Sequence, residues 1–167
     1  ETSASRIVGF TVINGSPNGA GGAFFFNSAS ATVENCRMMG NFGGPGGAIS
    51  VTQGATPRFV NCIIEENVSA EPGGAIHVSF ASPTFDNCTI RGNRSSVNSG
   101  AAAIFSAGTT TFNSCLVTGN AAPDGGAFSV RFGATLTVFE CTVAGNEASG
   151  QGGAVRIDNG ALTFQNS

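Results

Sequence analysis

The sequence predicts an all-β solenoid, a right-handed parallel β-helix of about six rungs with about 26 residues and three short strands in each rung. Three observations predict this fold. Cysteines recur every 26 or 27 residues, an asparagine follows each cysteine by five residues, and apolar and polar residues alternate around these positions. A constant period of this length indicates stacked repeats, and alternation of period two indicates strands with one buried face. Parallel crossover connections are almost always right-handed, which predicts the hand.

The strand after each glycine pair comes first in the repeat. Six rung starts are marked in the second glycine column, in which Ala101 is the one departure: Gly22, Gly47, Gly74, Ala101, Gly126 and Gly153. The inward positions that follow are Phe24 and Phe26, Ile49 and Val51, Ile76 and Val78, Ala103 and Phe105, Phe128 and Val130, and Val155 and Ile157. Gly, Ser, Asn and Pro at the corners suit turns.

The second strand carries one large apolar residue per repeat. These residues are Val33, Phe59, Phe85, Phe112, Val138 and Phe164. Neighbouring strands lie about 4.8 Å apart, so residues one period apart lie over one another in such a coil. We therefore expect the phenylalanines to form an interior stack.

The third strand runs from each cysteine to each asparagine. The two columns are Cys36, Cys62, Cys88, Cys115 and Cys141, and Asn41, Asn67, Asn93, Asn120 and Asn146, with Asn14 opening the asparagine series and Ser167 holding the next cysteine position. Stacked sulfurs whose Cβ vectors are parallel predict buried thiols and not disulfides. Stacked asparagines predict a ladder of amide hydrogen bonds.

A leucine-rich repeat is the competing interpretation, because Phe85, Cys88, Ile90 and Asn93 match its strand pattern. Such repeats usually place a leucine-lined helix or tight turn in their other half. This chain contains three leucines, and the corresponding half carries GGA followed by an alternating β-branched run. The β-helix is therefore the favoured fold.

Composition limits the classes of function. The chain has 167 residues, a formal charge of −3 and seven arginines without lysine, which argues against nucleic-acid binding. No apolar run reaches the length of a membrane span, so we expect no membrane insertion by this segment. Residues 1–167 read as a single β-helix segment without a start methionine or signal peptide, and the last rung is incomplete at Ser167. We interpret it as a fragment of a longer protein, with end-to-end self-association as a further expectation.

No constellation of residues predicts catalysis or a cofactor. Glu65, Glu66 and Glu71 are the densest acids, but Arg91 in the next rung predicts an exposed ion pair with Glu65. His77 is expected to face solvent, because its column offers no residue that would orient a catalytic histidine.

Two site predictions remain. Asp124 and Glu147 lie in successive corner loops and are candidates for a calcium site. Several phenylalanines outside the inward columns could tuck under corners or form an apolar contact patch, namely Phe25, Phe42, Phe80, Phe132 and Phe139.

The repeat also resembles a known family. GGAI at 46–49 and 73–76, with IRGN at 90–93, VTGN at 117–120 and VAGN at 143–146, resembles the paired GGAI and FxxN repeats of chlamydial polymorphic outer-membrane proteins. SPTFDNCTIRGN at 82–93 is similar to repeats of large secreted bacterial β-helix proteins. The chain departs from the chlamydial pattern by using Ile, Val or Met where that motif prefers Phe. The resemblance implies an extracellular or cell-surface location and an adhesive or structural role, and brings no catalytic residues.

Three hypotheses follow from the sequence. The favoured one is a non-catalytic structural or adhesive segment of a secreted or cell-surface bacterial protein, whose partner is an unknown surface ligand or another protein. The second is a fragment of a polysaccharide lyase or hydrolase with its active rungs elsewhere. The third is a filament subunit that assembles end to end.

Overall fold

The computed structural model describes residues 5–16 and 19–167, and these residues form one continuous coil of parallel strands in four sheets. The predicted β-helix, with its period of about 26 residues, is confirmed. The predicted single segment spans residues 1–167, of which 1–4 and 17–18 lie outside the described residues. No helix occurs among the described residues, which removes the leucine-rich alternative with a helical half.

Three of the four sheets contain the predicted strands. Sheet 1, which follows the glycine pairs, contains Phe24–Asn27, Ile49–Thr52, Ile76–Ser79, Ala102–Phe105, Phe128–Arg131 and Val155–Asp158. Sheet 2, which carries the phenylalanine column, contains Ser5–Val8, Ala31–Glu34, Arg58–Val60, Thr84–Asp86, Thr109–Asn113, Thr135–Phe139 and Ala161–Gln165. Sheet 3, which follows the cysteines, contains Thr11–Ile13, Arg37–Met39, Ile63–Glu65, Thr89–Arg91, Leu116–Thr118 and Thr142–Ala144.

A fourth sheet adds to the three strands that the sequence predicted for each rung. It is built of two-residue strands directly after the asparagines: Phe42–Gly43, Val68–Ser69, Arg94–Ser95, Ala121–Ala122 and Glu147–Ala148. A two-residue segment is too short to show the alternation of apolar and polar residues that predicts a strand. Their backbones are nevertheless held from rung to rung, since the amide of Val68 donates to Asn41 O and that of Arg94 donates to Asn67 O, both at 2.9 Å.

The interior is a set of stacked columns. Phe59, Phe85 and Phe112 are fully buried, and their rings stack with centroids 4.8 and 4.7 Å apart and planes within 9° of parallel. Phe128 of sheet 1 packs against the end of this stack, with its ring centroid 5.2 Å from that of Phe112 and the two planes tilted by 49°. This aromatic column is the centre of one hydrophobic core that runs the length of the described coil.

The asparagine ladder is continuous from Asn41 to Asn146. Each Nδ2 donates at 2.9 Å to the Oδ1 of the asparagine in the next rung, and the backbone amide of the same residue donates to that Oδ1 at 2.9 to 3.1 Å. In the first rung the ladder position is held by Gly15, whose amide donates to Asn41 Oδ1, and not by the predicted Asn14. Buried amides are thus paired with copies of themselves, which avoids the cost of unsatisfied polar groups.

The predicted register is wrong by one residue in the fourth rung. Ala102 and Ile104 pair with Ile76 and Val78 and are buried, whereas the sequence favoured Ala103 and Phe105 as the inward pair. The second glycine column is therefore held by Gly100, and Ser99 replaces glycine in the first column at a φ of 62°. The Oγ of Ser99 donates to the carbonyls of Ala102 and Ala127, which helps a residue with a Cβ to occupy this left-handed position.

Candidate functional site

The cysteine column forms a buried line of thiols at the corner between sheets 2 and 3. All five cysteines are free, as predicted, and Ser167 holds the next position of the column, where its Oγ accepts from the amide of Cys141 at 3.1 Å. The amides of Cys88 and Cys115 donate to the Sγ of the following cysteine at 3.4 and 3.2 Å. Hydrogen bonds with the Cys115 and Cys62 thiols, together with burial, raise the pKa of Cys88. This thiol is therefore a poor nucleophile at neutral pH.

Glu65 is buried between two arginines of adjacent rungs. Its Oε1 pairs with Arg37, and its Oε2 accepts from Arg91 Nε at 2.7 Å. The predicted ion pair with Arg91 therefore exists, but the Glu65 carboxylate is buried and not exposed as predicted. Burial by itself would raise the pKa of Glu65, but hydrogen bonds from Arg91 and Arg37 outweigh burial and hold the pKa below its ordinary value. The arrangement is that of a structural ion pair with an ionised carboxylate.

His77 is half-buried, which corrects the prediction of a fully solvated side chain. Its place in the outward column between Ser50 and Ala103 follows the sheet register. The ring packs edge-on against Phe105 at 5.6 Å, and burial lowers the pKa of His77 to about 4. The imidazole is therefore neutral at physiological pH.

The same outward column contains two buried hydroxyls. Ser50 and Ser129 are fully buried beside the glycine-containing loops, and their Oγ atoms have no hydrogen-bond partner within the described part of the chain. The same holds for His77 Nδ1 and for Nε of Arg131. Ser50 and His77 lie in adjacent rungs, whereas Ser129 and Arg131 lie two rungs beyond His77, with the rung of Ala103 between them.

The calcium candidates lie on different surfaces. Asp124 Oδ1 accepts from the amide of Gln151 at 3.1 Å, and Oδ2 pairs with Arg156 at 2.5 Å and faces Arg131 at 3.9 Å. Glu147 lies in sheet 4 and is exposed. No three His, Cys, Asp or Glu side chains converge as a metal site among residues 5–16 and 19–167. Two guanidinium groups beside Asp124 disfavour a cation there, and the calcium prediction remains untested.

An exposed aromatic corner lies between sheets 1 and 2. Phe80 and Phe132 have φ values of 52° and 56° and exposed fractions of 57% and 62%. The ring of Phe105 contacts that of Phe132 edge-on at 5.9 Å. A bulky side chain at positive φ is unfavourable, so these rings are displayed at a cost in backbone energy.

A groove runs along the outer face of sheet 4. We define the sheet-4 groove by its outward residues and by the small residues of its loop wall: Phe42, Val68, Arg94, Ala121, Glu147, Ala70, Ser96, Pro123 and Ser149. Two adjoining cavities of about 200 and 400 Å³ lie in it, and Arg94 and Ser95 line both. Sequence reasoning noted Phe42 and Glu147 separately and missed the groove, because the two-residue strands that create it carry no periodic signal.

The comparisons with known proteins concern the fold. A family model described as "Right handed beta helix region" matches residues 3–117. Comparison with the curated proteins and with the solved structures finds no match for this chain. The described part of the chain contains no helix with the length and apolarity needed to cross a membrane. The more specific resemblance to chlamydial polymorphic outer-membrane proteins remains a prediction.

Proposed function

Because the chain belongs to the right-handed β-helix family, we propose that it is a rigid structural segment of a secreted or cell-surface bacterial protein, which holds other parts of that protein apart. The observation that carries this proposal is the unbroken asparagine ladder. Every asparagine from Asn41 to Asn120 is bonded to the next rung through both its side chain and its backbone amide. A ladder without a gap leaves no rung that can open independently at low cost.

The electrostatic contacts support the same role. Ion pairs cross from one rung to another at Arg6–Glu34, Arg58–Asp86 and Glu65 with both of its arginines. Exposed pairs of this kind contribute little individually, but each one opposes the sliding of one rung over the next. Axial stiffness therefore comes from hydrogen bonds, ring stacking and charge together.

Force spectroscopy tests the rigid role. With the chain tethered near both ends, we expect no lengthening at low force and then abrupt cooperative unfolding of many rungs. Stepwise release of single rungs at low force would contradict the proposal. Antibody labelling of intact cells that make the native protein tests the location, because only a surface-exposed segment is stained without permeabilisation.

The aromatic corner supports adhesion as a second role. Phe80 and Phe132 are displayed at an unfavourable backbone conformation, and exposed aromatic residues are typical of contact surfaces. The partner of an adhesive segment is an unknown surface ligand or another protein. The double variant Phe80→Ala/Phe132→Ala should weaken attachment of coated beads to target cells and leave the unfolding free energy within about 1 kcal/mol of wild type.

A fragment of a polysaccharide lyase or hydrolase remains the alternative from another functional class. A turnover assay with pectin-like and alginate-like polymers separates the two, because measurable cleavage by this chain would overturn the structural proposal.

A further inference from the structure

Arg94 differs from every other arginine in its surroundings. Six of the seven arginines face carboxylates, in the contacts Arg6–Glu34, Arg37–Glu65, Arg91–Glu65, Arg58–Asp86, Arg131–Asp124 and Arg156–Asp124. Arg94 makes no ion pair with any described residue, although it is exposed and lies between the two cavities of the sheet-4 groove. The guanidinium of an unpaired arginine in a concave site is available to bind a carboxylate of a ligand.

An apolar seat lies next to Arg94 on one side. Phe42 and Val68 are paired in register on adjacent strands, and they remain 46% and 41% exposed. Both line the larger cavity together with Ala70. Large apolar side chains at this exposure, adjacent to one another, offer a contact for an aliphatic or aromatic group of a ligand.

An acidic group lies on the other side. Glu147 lines the smaller cavity and follows Arg94 by two rungs, with Ala121 between them in the register. From the rung spacing, Arg94 and Glu147 lie about 9.6 Å apart along the groove, and the middle of the apolar seat lies about 7 Å from Arg94. The groove therefore presents an apolar, a basic and an acidic contact in a row.

The wall of the groove is preformed by hydrogen bonds. Ser95 Oγ donates to Glu71 O at 2.9 Å and accepts from the amides of Val97 and Asn98. Ser96 Oγ donates to Ala70 O at 3.0 Å. A ligand would meet a fixed loop wall, and ordering of the protein on binding would be confined to the exposed side chains that contact the ligand.

We propose that the sheet-4 groove binds an extended peptide segment of a partner protein with the pattern apolar-x-acidic-x-basic. Side chains two residues apart in an extended chain point to the same face and lie about 6.7 Å apart. The apolar residue then contacts Phe42 and Val68, the carboxylate pairs with Arg94, and the basic side chain bridges the remaining 3 Å or so to Glu147. This binding is separate from the structural role, which requires no ligand.

The charges favour a peptide over an acidic polysaccharide. The groove holds one cation and one anion two rungs apart, and a uniformly anionic polymer along it would be repelled by Glu147. An ordered row of mixed charges is complementary to a polypeptide, in which both signs occur close together.

The test uses two peptides of identical composition and the whole chain. The probe is fluorescein-labelled GSLSDSKSG, and its control is GSLSKSDSG, in which the two charged residues are exchanged. Fluorescence anisotropy is measured with protein up to about 1 mM, the upper end of specific weak affinities. We expect the first peptide to bind at least tenfold more tightly than the second, because a charge-assisted pair is made in one case and repulsion occurs in the other.

Protein variants make the result specific to the groove. Arg94→Glu should weaken the first peptide at least tenfold, and Arg94→Glu/Glu147→Arg should reverse the preference in favour of the exchanged peptide. Arg6→Glu, with the same change in net charge on sheet 2, should bind like wild type. Circular dichroism verifies that each variant is folded.

Several outcomes would overturn the inference. Absence of binding by wild type, or equal binding of the two peptides, would do so, and so would a double variant that still prefers the first peptide. Displacement of the peptide by polygalacturonate would also overturn it, because the groove would then bind a polyanion. If force spectroscopy shows a rigid chain and the chain binds neither peptide, the structural proposal stands and the peptide site is ruled out. If the chain proves flexible but binds the first peptide, the structural proposal is ruled out and the peptide site stands.

Discussion

The rings of Phe59 and Phe85 lie face to face, with centroids 4.8 Å apart and planes 6° from parallel. The two residues are 26 positions apart in sequence and are paired in register on sheet 2. Their stacking shows that the repeat length, and not local sequence, brings the core together.

Removal of a ring from the middle of the stack should be costly. Phe85→Ala should lower the free energy of unfolding by about 3–5 kcal/mol, because Phe85 is fully buried and contacts rings on both sides. Phe80→Ala is the matched control, since Phe80 is largely exposed, and should change it by less than about 1 kcal/mol. Urea denaturation measures both, and equal losses would contradict the stacked core.

The asparagine ladder should tolerate no gap. Asn93→Ala removes the Oδ1 that accepts from the backbone amide and from Nδ2 of Asn67, so that the buried amide and one of the two Nδ2 N–H groups lose their acceptor, while Nδ2 keeps its bond to Met38 O. We expect a loss of about 3 kcal/mol or more in the free energy of unfolding. Asn27→Ala, at an exposed position, should lose less than about 0.5 kcal/mol. Denaturant unfolding followed by circular dichroism is the measurement, and a similar small effect for both variants would argue against the ladder.

The second glycine column should reject a methyl group where the next rung is close. A Cβ on Gly74 would lie 2.4 Å from Gly100 O and 2.6 Å from Arg94 C, so Gly74→Ala forces the rungs apart. A Cβ on Gly153 meets nothing within 4 Å. Gly74→Ala should lower the thermal midpoint by more than about 4 °C, as expected for a loss above about 2 kcal/mol in a chain of this size, and Gly153→Ala should change it little. Scanning calorimetry distinguishes them, and equal midpoints would contradict the close approach.

Glu65 should make stability depend on acid pH. Its folded-state pKa is below the ordinary value of 4.5, so its contribution is complete above that value and is lost as the pH falls through the lower folded-state pKa. Glu65→Gln should lose about 2 kcal/mol at pH 7, less than a fully buried pair, because its arginine partners are about half exposed. The free energy of unfolding of this variant should also fall less than that of wild type as the pH is lowered.

The control for this prediction is Glu140→Gln, which lies at an exposed position and makes no ion pair with a described residue. The free energy of unfolding of this control, measured in urea between pH 3 and 7, should depend on pH in the same way as that of wild type. This pH range spans the ordinary carboxylate pKa. If Glu65→Gln also follows that curve, Glu65 does not carry the acid dependence.

The cysteine column should be inert in the folded chain. We expect no reaction of the five thiols with a thiol-specific reagent under native conditions and complete reaction in denaturant. All five thiols are buried, so the reagent cannot reach them in the folded chain. Intact-mass spectrometry without reductant provides the control, because a mass lower by 2 Da per cystine, as two lost hydrogens require, would reveal disulfides.

End-to-end association remains a separate prediction from the sequence. Sedimentation velocity over a range of concentrations measures it. Sedimentation as a monomer at high concentration would contradict the filament hypothesis and would leave the coil and its groove unaffected.

The sequence predicted those parts of the fold that repeat strictly. The columns of Phe85, Cys88 and Asn93 return together every 26 or 27 residues, and the stacking of rungs follows from that spacing. The register error in the fourth rung has a physical origin. Ala102, Ala103, Ile104 and Phe105 are all apolar, so neither alternating pair stands out, and only contacts with the neighbouring rungs select Ala102 and Ile104.

The candidate site was much less predictable. Val68 and Arg94 meet through parallel pairing of two-residue strands, which are too short for a periodic pattern. Arg94 is exposed and Glu65 is buried because of the way in which acidic and arginine side chains pair between neighbouring rungs. A sequence gives the order of these residues, and it does not give the direction in which long side chains turn.

The asparagine ladder also bears on how such a chain can change in length. Each rung meets a near copy of itself, so a tandem duplication of one 26-residue unit introduces donors and acceptors in matching numbers. The new unit therefore matches the ladder positions of both neighbouring units. The protein can therefore be lengthened or shortened by whole units through ordinary genetic recombination, with each unit adding a fixed increment of reach.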